Sequence, residues 1–239
     1  MTIRVTVWNE FLHEKKDEAV KKIYPDGMHK AIASYLSKSK DFYVKTATLE
    51  EPSHGLTNEV LDQTDVLIWW GHMAHNQVDD QIVLEIGKRV REGMSVILLH
   101  SAHASKLMKE LTGCNGSLSW REAGEKEILW NINPNHPITK DMGDYFILEQ
   151  EETYGEPFGV SDIDELLMIS WFSGGNVFRS AWIKNIQNGK LFYFQPGHET
   201  YPTFKNEKVL KIIENAVRYL KPEIRKNNIE NIWQKEPIV

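Results

Sequence analysis

The chain has 239 residues, of which 41% are hydrophobic and 26% charged, ordinary values for a folded domain large enough to bury a substantial core. Its net charge is −6 and it has no Lys/Arg-rich run, which argues against nucleic acid as a partner. The single cysteine, Cys114, excludes an internal disulfide, and the opening MTIRVTVWNE enters a strand with no basic, apolar leader. A reducing, cytoplasmic setting and no membrane partner are therefore expected.

Ile3 to Trp8, IRVTVW, is short and β-rich and reads as the first strand. Pro25, Asp26 and Gly27 punctuate the chain, and Met28, Ile32, Tyr35 and Leu36 then recur at helical spacing, with Asp26 the expected N-cap. Phe42 to Leu49, FYVKTATL, reads as a second strand. Asp65 to His72, DVLIWWGH, is a continuous apolar run that stops at Gly71, the pattern of a central parallel strand. A helix follows with Ile82, Val83, Ile86 and Val90 on one face and Gly93 at its end. Ser95 to His100, SVILLH, is the next buried strand, and Leu107, Met108 and Leu111 mark a short helix ending at Gly113.

This alternation predicts an α/β fold with a doubly wound, mostly parallel sheet. After Gly113 the pattern changes. GSLSWREAGEKEILWNI, YFILEQEETYGEPF and ELLMISWFSGGNVFRSAWIKNIQNGKLFYF read as additional strands joined by Gly-rich turns. A last amphipathic helix is expected from Val209 to Leu220. No internal repeat or linker divides the chain, so residues 1–222 read as one domain and 223–239 as a polar tail. Trp233 is the tail's one large apolar group, and the tail is either frayed or packed on a neighbouring subunit of a homo-oligomer.

In an open parallel sheet, ligands bind beyond the carboxyl ends of the strands. The residues there are Asn9 and Glu10 after the first strand, His72 and His75 in GHMAH, His100, Ser101 and His103 in HSAH, and His198 and Glu199 in QPGHET. His29, in the first turn of the first helix, falls on the same side. Each alone reads as well as a loop histidine, and HSAH as a helix N-terminus capped by Ser101. Four segments placing histidine at one end of one sheet favour a shared site, with His72, His100 and His198 converging. Histidine serves as acid, base or metal ligand near neutral pH. His198, Glu199, His100 and Glu152 are thus the expected catalytic groups. His72, His100 and His103 are expected metal ligands, and imidazoles from GHMAH, HSAH and GHE could furnish three donors for zinc or manganese. No nucleotide cofactor is expected. Glu199 either orients His198 or faces Arg121 or Arg179.

The order of elements and a late strand ending in QPGHE resemble the class I glutamine amidotransferase-like fold. In that family a cysteine on a sharp elbow works with a His and a Glu that follow a late strand. Here the elbow reads LHSA, and Cys114 sits after the next helix, so the glutaminase mechanism lacks its nucleophile. YPDGMH, WWGHMAH, LLHSAHASKL, WREAGE, NHPIT, EETYGEPF, ISWFSGGNVFRSAW and FYFQPGHETYP together resemble the ThuA family of trehalose-utilisation proteins, from Val5 to about Leu220. The resemblance implies the same fold and a role in bacterial catabolism of trehalose or related glucosides and keto-sugars.

The residues themselves suit a sugar, whose faces stack on aromatic rings and whose hydroxyls need fixed polar partners. His29, Trp120, Arg121, Glu122, Tyr154 and Arg179 are the expected binding groups, and of Glu151 and Glu152 one is expected to face the pocket. Two functions remain open: an enzyme acting on a small-molecule sugar by His/Glu acid–base or metal-assisted chemistry, and a non-catalytic sugar-binding or regulatory protein. Titratable groups favour the first; the missing nucleophile favours the second.

Overall fold

The computed structural model describes residues 2–225. The chain runs β1 (Ile3–Asn9), α1 (His13–Lys16), α2 (Glu18–Ile23), α3 (Met28–Leu36), β2 (Phe42–Thr48), α4 (Asn58–Asp62), β3 (Val66–Trp70), α5 (Asp80–Arg91), β4 (Ser95–Leu99) and α6 (Lys106–Thr112). It continues with β5 (Ser119–Asn131), β6 (Tyr145–Gly155), β7 (Glu165–Phe172), β8 (Val177–Ile186), β9 (Gly189–Phe194) and α7 (Glu207–Tyr219). All nine strands form one sheet in the order β2-β1-β3-β4-β9-β8-β7-β5-β6. The first five in that order pair in parallel, and every later pairing is antiparallel.

Every residue of β3 and β4 is buried, as strands covered on both faces must be. One face of the sheet packs against α3 and α7, with Met28, Ile32, Ile213 and Val217 meeting Val5, Ile68 and Phe194. The other packs against α5 and α6, with Val83, Ile86 and Leu107 meeting Trp69, Leu98 and Tyr193. Cys114 packs beside that second layer as a small apolar group.

Several helix ends differ from the sequence reading. The α3 N-cap is Gly27, at φ 94°, and Asp26 provides no cap. A Cβ on Gly27 would lie 2.4 Å from the His29 ring, so the close turn leaves room only for glycine. The HSAH segment is a short 3₁₀ turn in which Ser101 caps nothing. The capping hydroxyl of α6 belongs to Ser105, which accepts from the Met108 N–H at 3.0 Å. Helices α1 and α2 fill a stretch the sequence pattern leaves blank, because each is too short to show a period. Trp233 lies outside the described residues, as does nearly all of the tail. Among the described residues, no helix is long and apolar enough to cross a membrane.

Candidate functional site

The carboxyl ends of β1, β3, β4 and β9 meet at one place, and so do their loops. The His72 and His198 rings lie 5.8 Å apart, His100 and His198 5.4 Å, and His72 and His100 6.4 Å. A cavity of about 270 Å³ opens above them, lined in part by His72, His103, Trp120, Glu122, Glu152, Tyr154 and His198. A larger, shallower hollow between α5 and α6 has Asp80, Glu110 and two lysines as its charged groups and gathers no imidazoles.

His100 is the first residue past β4 and has φ 51°. A non-glycine residue in the left-handed region costs on the order of 1–3 kcal/mol, and tertiary contacts must hold it there. Its Nδ1 lies 2.8 Å from the Gln195 carbonyl, which can only accept, so Nδ1 carries a proton. Nε2 then faces Glu152 at 3.0 Å and the Tyr154 hydroxyl at 3.3 Å. Burial alone would lower the His100 pKa, but Glu152 outweighs it and the imidazole is raised above its usual value. Burial would likewise raise Glu152, and His100 holds it below the ordinary carboxylate range. The two form a buried charged pair.

His198 has the opposite character. Burial, together with the positive charge of His100, lowers its pKa to about 4, so it stays neutral near pH 7. Its Nδ1 lies 2.7 Å from the Thr200 hydroxyl, and Nε2 faces Glu122 at 3.9 Å across the cavity edge. Two neighbouring imidazoles are thus pushed apart in protonation, the arrangement that divides acid from base.

The turn that aims His198 is built by Glu151. This fully buried carboxylate accepts from the N–H groups of Gly197 at 3.1 Å and His198 at 3.0 Å, and from the Thr203 hydroxyl at 2.7 Å. Trp70 Nε1 donates to the Gly197 carbonyl at 2.9 Å from the other side. Gly197 has φ 144°, and a Cβ there would meet Phe204 at 2.7 Å and His100 at 3.2 Å. Pro196 and Gly197 therefore end the strand where backbone passes too close for a side chain.

On the β1 side, Glu10 accepts from the backbone N–H groups of His72, Met73 and Ala74 at 2.8, 2.9 and 3.1 Å. Burial would raise its pKa, and His13 with those N–H groups lowers it. His13 stands between Glu10 and Glu199, 3.5 and 3.2 Å away. His72 lies 3.2 Å from the other oxygen of Glu199. Glu199 is nearly buried, which would raise it, but His72, His198 and His13 hold it down at about 2.

The ThuA family profile, described as trehalose utilisation, matches residues 4–220. The chain belongs to the ThuA family. Its fold is similar to that of a ThuA-like protein from Bacteroides uniformis, at 15% identity and TM-score 0.68, covering 92% of this chain and 91% of that one. A second ThuA-like protein, from Parabacteroides merdae, aligns at 12% identity and TM-score 0.66 over 96% and 93% of the two chains. PurLQS from Thermotoga maritima aligns at 15% identity and TM-score 0.56, over 92% of this chain and 100% of that one. The fold is thus the mixed, amidotransferase-like sheet, with added antiparallel strands. No curated relative matches the chain.

In this ThuA-family chain His100 follows β4 directly, and Ser101, next to it, donates to the Gly71 carbonyl at 2.8 Å. Of the expected binding groups, Trp120, Glu122 and Tyr154 line the cavity. Arg121 points away, paired with Glu125 at 2.6 Å and Asn176 at 3.0 Å. Arg179 is held by Glu156 at 2.8 Å. His29 is buried below the β1 end, 3.2 Å from the Asn9 amide, and does not line the cavity. Neither arginine receives Glu199, which turns to His13 and His72 instead.

The expected donor trio His72, His100 and His103 is not one group in space. His103 Nδ1 is bound to the Gly116 carbonyl at 2.7 Å and its ring packs edge-on to Tyr154. The side chains instead gather as His13, His72 and Glu199, and as His100, Glu152 and His198, each set with its donor atoms within 4.8 Å of one another. The sequence reading missed His13. It sits four positions past the β1 end, on α1, and the rule that found the other histidines, applied one turn further, would have reached it.

Proposed function

We propose that the protein acts on a sugar in the trehalose class, a glucoside or its keto form, by acid–base chemistry at His100, Glu152 and His198, and does not transfer the amide of glutamine. The observation that carries this reading is a neutral His198 and a Glu152 backed by the buried His100, both lining one cavity. Neutral His198 can take a proton from a hydroxyl, or from a carbon beside a carbonyl. His100, buried behind Glu152, can pass its Nε2 proton to that carboxylate, and Glu152, which lines the cavity, can return it to an oxygen on the far side. Such a pair contributes on the order of 10²–10⁴-fold to rate. Trp120 stands 66% exposed at the cavity mouth, an open ring face of the kind pyranose rings stack on. Glu122, which accepts from the Thr200 hydroxyl at 3.4 Å, lines the same cavity and offers a carboxylate acceptor for a sugar hydroxyl. Tyr154, buried against His100, keeps the pair dry and fixed.

The test is a screen of trehalose, other glucosides and their keto forms for binding and turnover, with His198→Ala and Glu152→Gln beside the parent. Both variants should lose turnover while keeping a cooperative melt. A variant that handles the identified sugar at the parent's rate would overturn the assignment. Glutamine should release no ammonia; release that disappears in Cys114→Ala would overturn the second half of the reading.

A further inference from the structure

We propose that His13, His72 and Glu199 form a site for one divalent first-row transition ion, zinc in the first instance, separate from the His100–Glu152 pair. The inference goes beyond the sugar reading and stands without it. Three observations carry it.

The first is spacing. His13 Nε2 lies 3.2 Å from one oxygen of Glu199, and His72 Nδ1 lies 3.2 Å from the other. Ligands about 2.1 Å from a tetrahedral zinc stand roughly 3.3–3.5 Å apart; each imidazole is already close to that separation from the carboxylate, and the three donor atoms lie within 4.8 Å of one another.

The second is unmet bonding capacity. Among the described residues, His72 Nδ1 and Glu199 Oε2 are both buried and make no hydrogen bond, although they are within reach of each other. Their contact has the distance of a hydrogen bond and not its direction. Glu199 as a residue is only 4% exposed, so this is an unpartnered carboxylate oxygen in the interior. Buried polar atoms without partners are rare and call for a missing one. A cation between the imidazoles and the carboxylate would satisfy them together.

The third is the support behind the donors. Glu10, anchored by three backbone N–H groups, stands 3.5 Å from His13 Nδ1 and so presents Nε2 to Glu199. A carboxylate behind a histidine is the usual outer support of a metal ligand. The His13 and His72 rings lie nearly parallel, 15° apart with centroids 5.0 Å apart. His72 is one-third exposed toward the cavity, which leaves one side of the site open to water or substrate. Three protein ligands with an open fourth position is the pattern of a working ion rather than a purely structural one. His100, Glu152 and His198 make the poorer set, because His100 already spends both ring nitrogens on Gln195 and Glu152.

The test uses the full chain, stripped with a chelator and then exposed to zinc alone or manganese alone, with bound metal counted by elemental analysis. One equivalent per chain is expected. His13→Ala and Glu199→Gln should each lower that count by more than tenfold at equal free metal, while Glu152→Gln retains it. Cobalt substitution gives a readout independent of activity: the parent should show visible absorption of a low-coordinate site, absent in His13→Ala. A cooperative melt of each metal-free variant checks that it folds. No stoichiometric binding by the parent, binding unchanged in His13→Ala, or binding lost in Glu152→Gln would each overturn the site. Loss of sugar turnover in Glu152→Gln with metal retained would leave this site standing and test only the acid–base reading.

Discussion

Strands β1, β3, β4 and β9 run the same way, and each gives the site residues that follow its carboxyl end: Glu10, His72, His100, and His198 with Glu199. β6 runs in the antiparallel half and contributes from within its own length, through Glu151, Glu152 and Tyr154. The parallel half therefore places its functional groups by where strands stop. The antiparallel half places them by which residues of a continuing strand pass under the site. All of Glu151 to Gly155 are buried, so the usual in–out alternation does not separate the cavity residue, Glu152, from the loop-holding one, Glu151. The lesson is physical: strands that end together make a shared edge, whereas a strand that crosses the site gives no punctuation where it does so.

The halves also differ in how they respond to pH. In the parallel half burial lowers two imidazoles, His29 and His103, to about 4. In the antiparallel half a carboxyl, Glu127 on β5, is wholly buried and raised well above its ordinary value by burial and by Glu151, and it accepts from the Ser170 hydroxyl.

The sharpest way to break the comparison is Glu151→Ala, which removes an antiparallel-half side chain that holds a parallel-half loop. It strands the N–H groups of Glu152, Gly197 and His198 and the Thr203 hydroxyl. At about 1–3 kcal/mol for each buried group left unmet, partly relieved by water, a loss of roughly 3–5 kcal/mol is expected in urea unfolding. A loss under about 1 kcal/mol would mean that the turn is held from the parallel side, by Trp70.

A second test separates the halves by pH. A buried carboxyl with a raised folded pKa binds more protons in the native state, so its contribution is lost as pH rises above the unfolded value near 4.5. Glu127→Gln should therefore stabilise the protein at pH 8 by on the order of 1–3 kcal/mol and much less at pH 5. For His103 the sign reverses. Its folded pKa near 4 lies below the unfolded value of 6.5, so the unfolded state takes the proton first and stability falls as pH drops between the two. His103→Gln should flatten that acid limb in thermal melts from pH 7 to pH 4 and leave the alkaline limb alone. Identical pH profiles for the two variants would dissolve the contrast.

The smallest expected effects on stability lie at the cavity mouth. Trp120→Ala should change stability by less than about 0.5 kcal/mol, because the ring is exposed, yet weaken binding of the identified sugar about tenfold. Arg121→Ala and Arg179→Ala should leave sugar affinity within about twofold, since both side chains are committed to glutamates away from the cavity. An arginine variant that weakens sugar binding as much as Trp120→Ala would mean that the strands rearrange around the ligand.

The sequence by itself determined most of the frame. Apolar runs such as VLIWW and SVILL are too continuous to lie anywhere but in the middle of a covered sheet, and their ends located His72, His100 and His198. Motif resemblance likewise reached the ThuA family, because many short pieces of its pattern occur together in one order. What it left undecided were relations between side chains far apart in the chain. Strand alternation puts Trp120 and Glu122 on one face of β5 and Arg121 on the other, but which face meets the cavity was set by the pairing of β5 with β6, Trp120 opposite Tyr154. Glu199 was equally free to reach an arginine or an imidazole until the β9 turn, pinned by Glu151, set its direction toward His13 and His72. Sequence carries local spacing and the burial each segment needs; which donors share one point in space is set by packing between segments, and that is where this site was made.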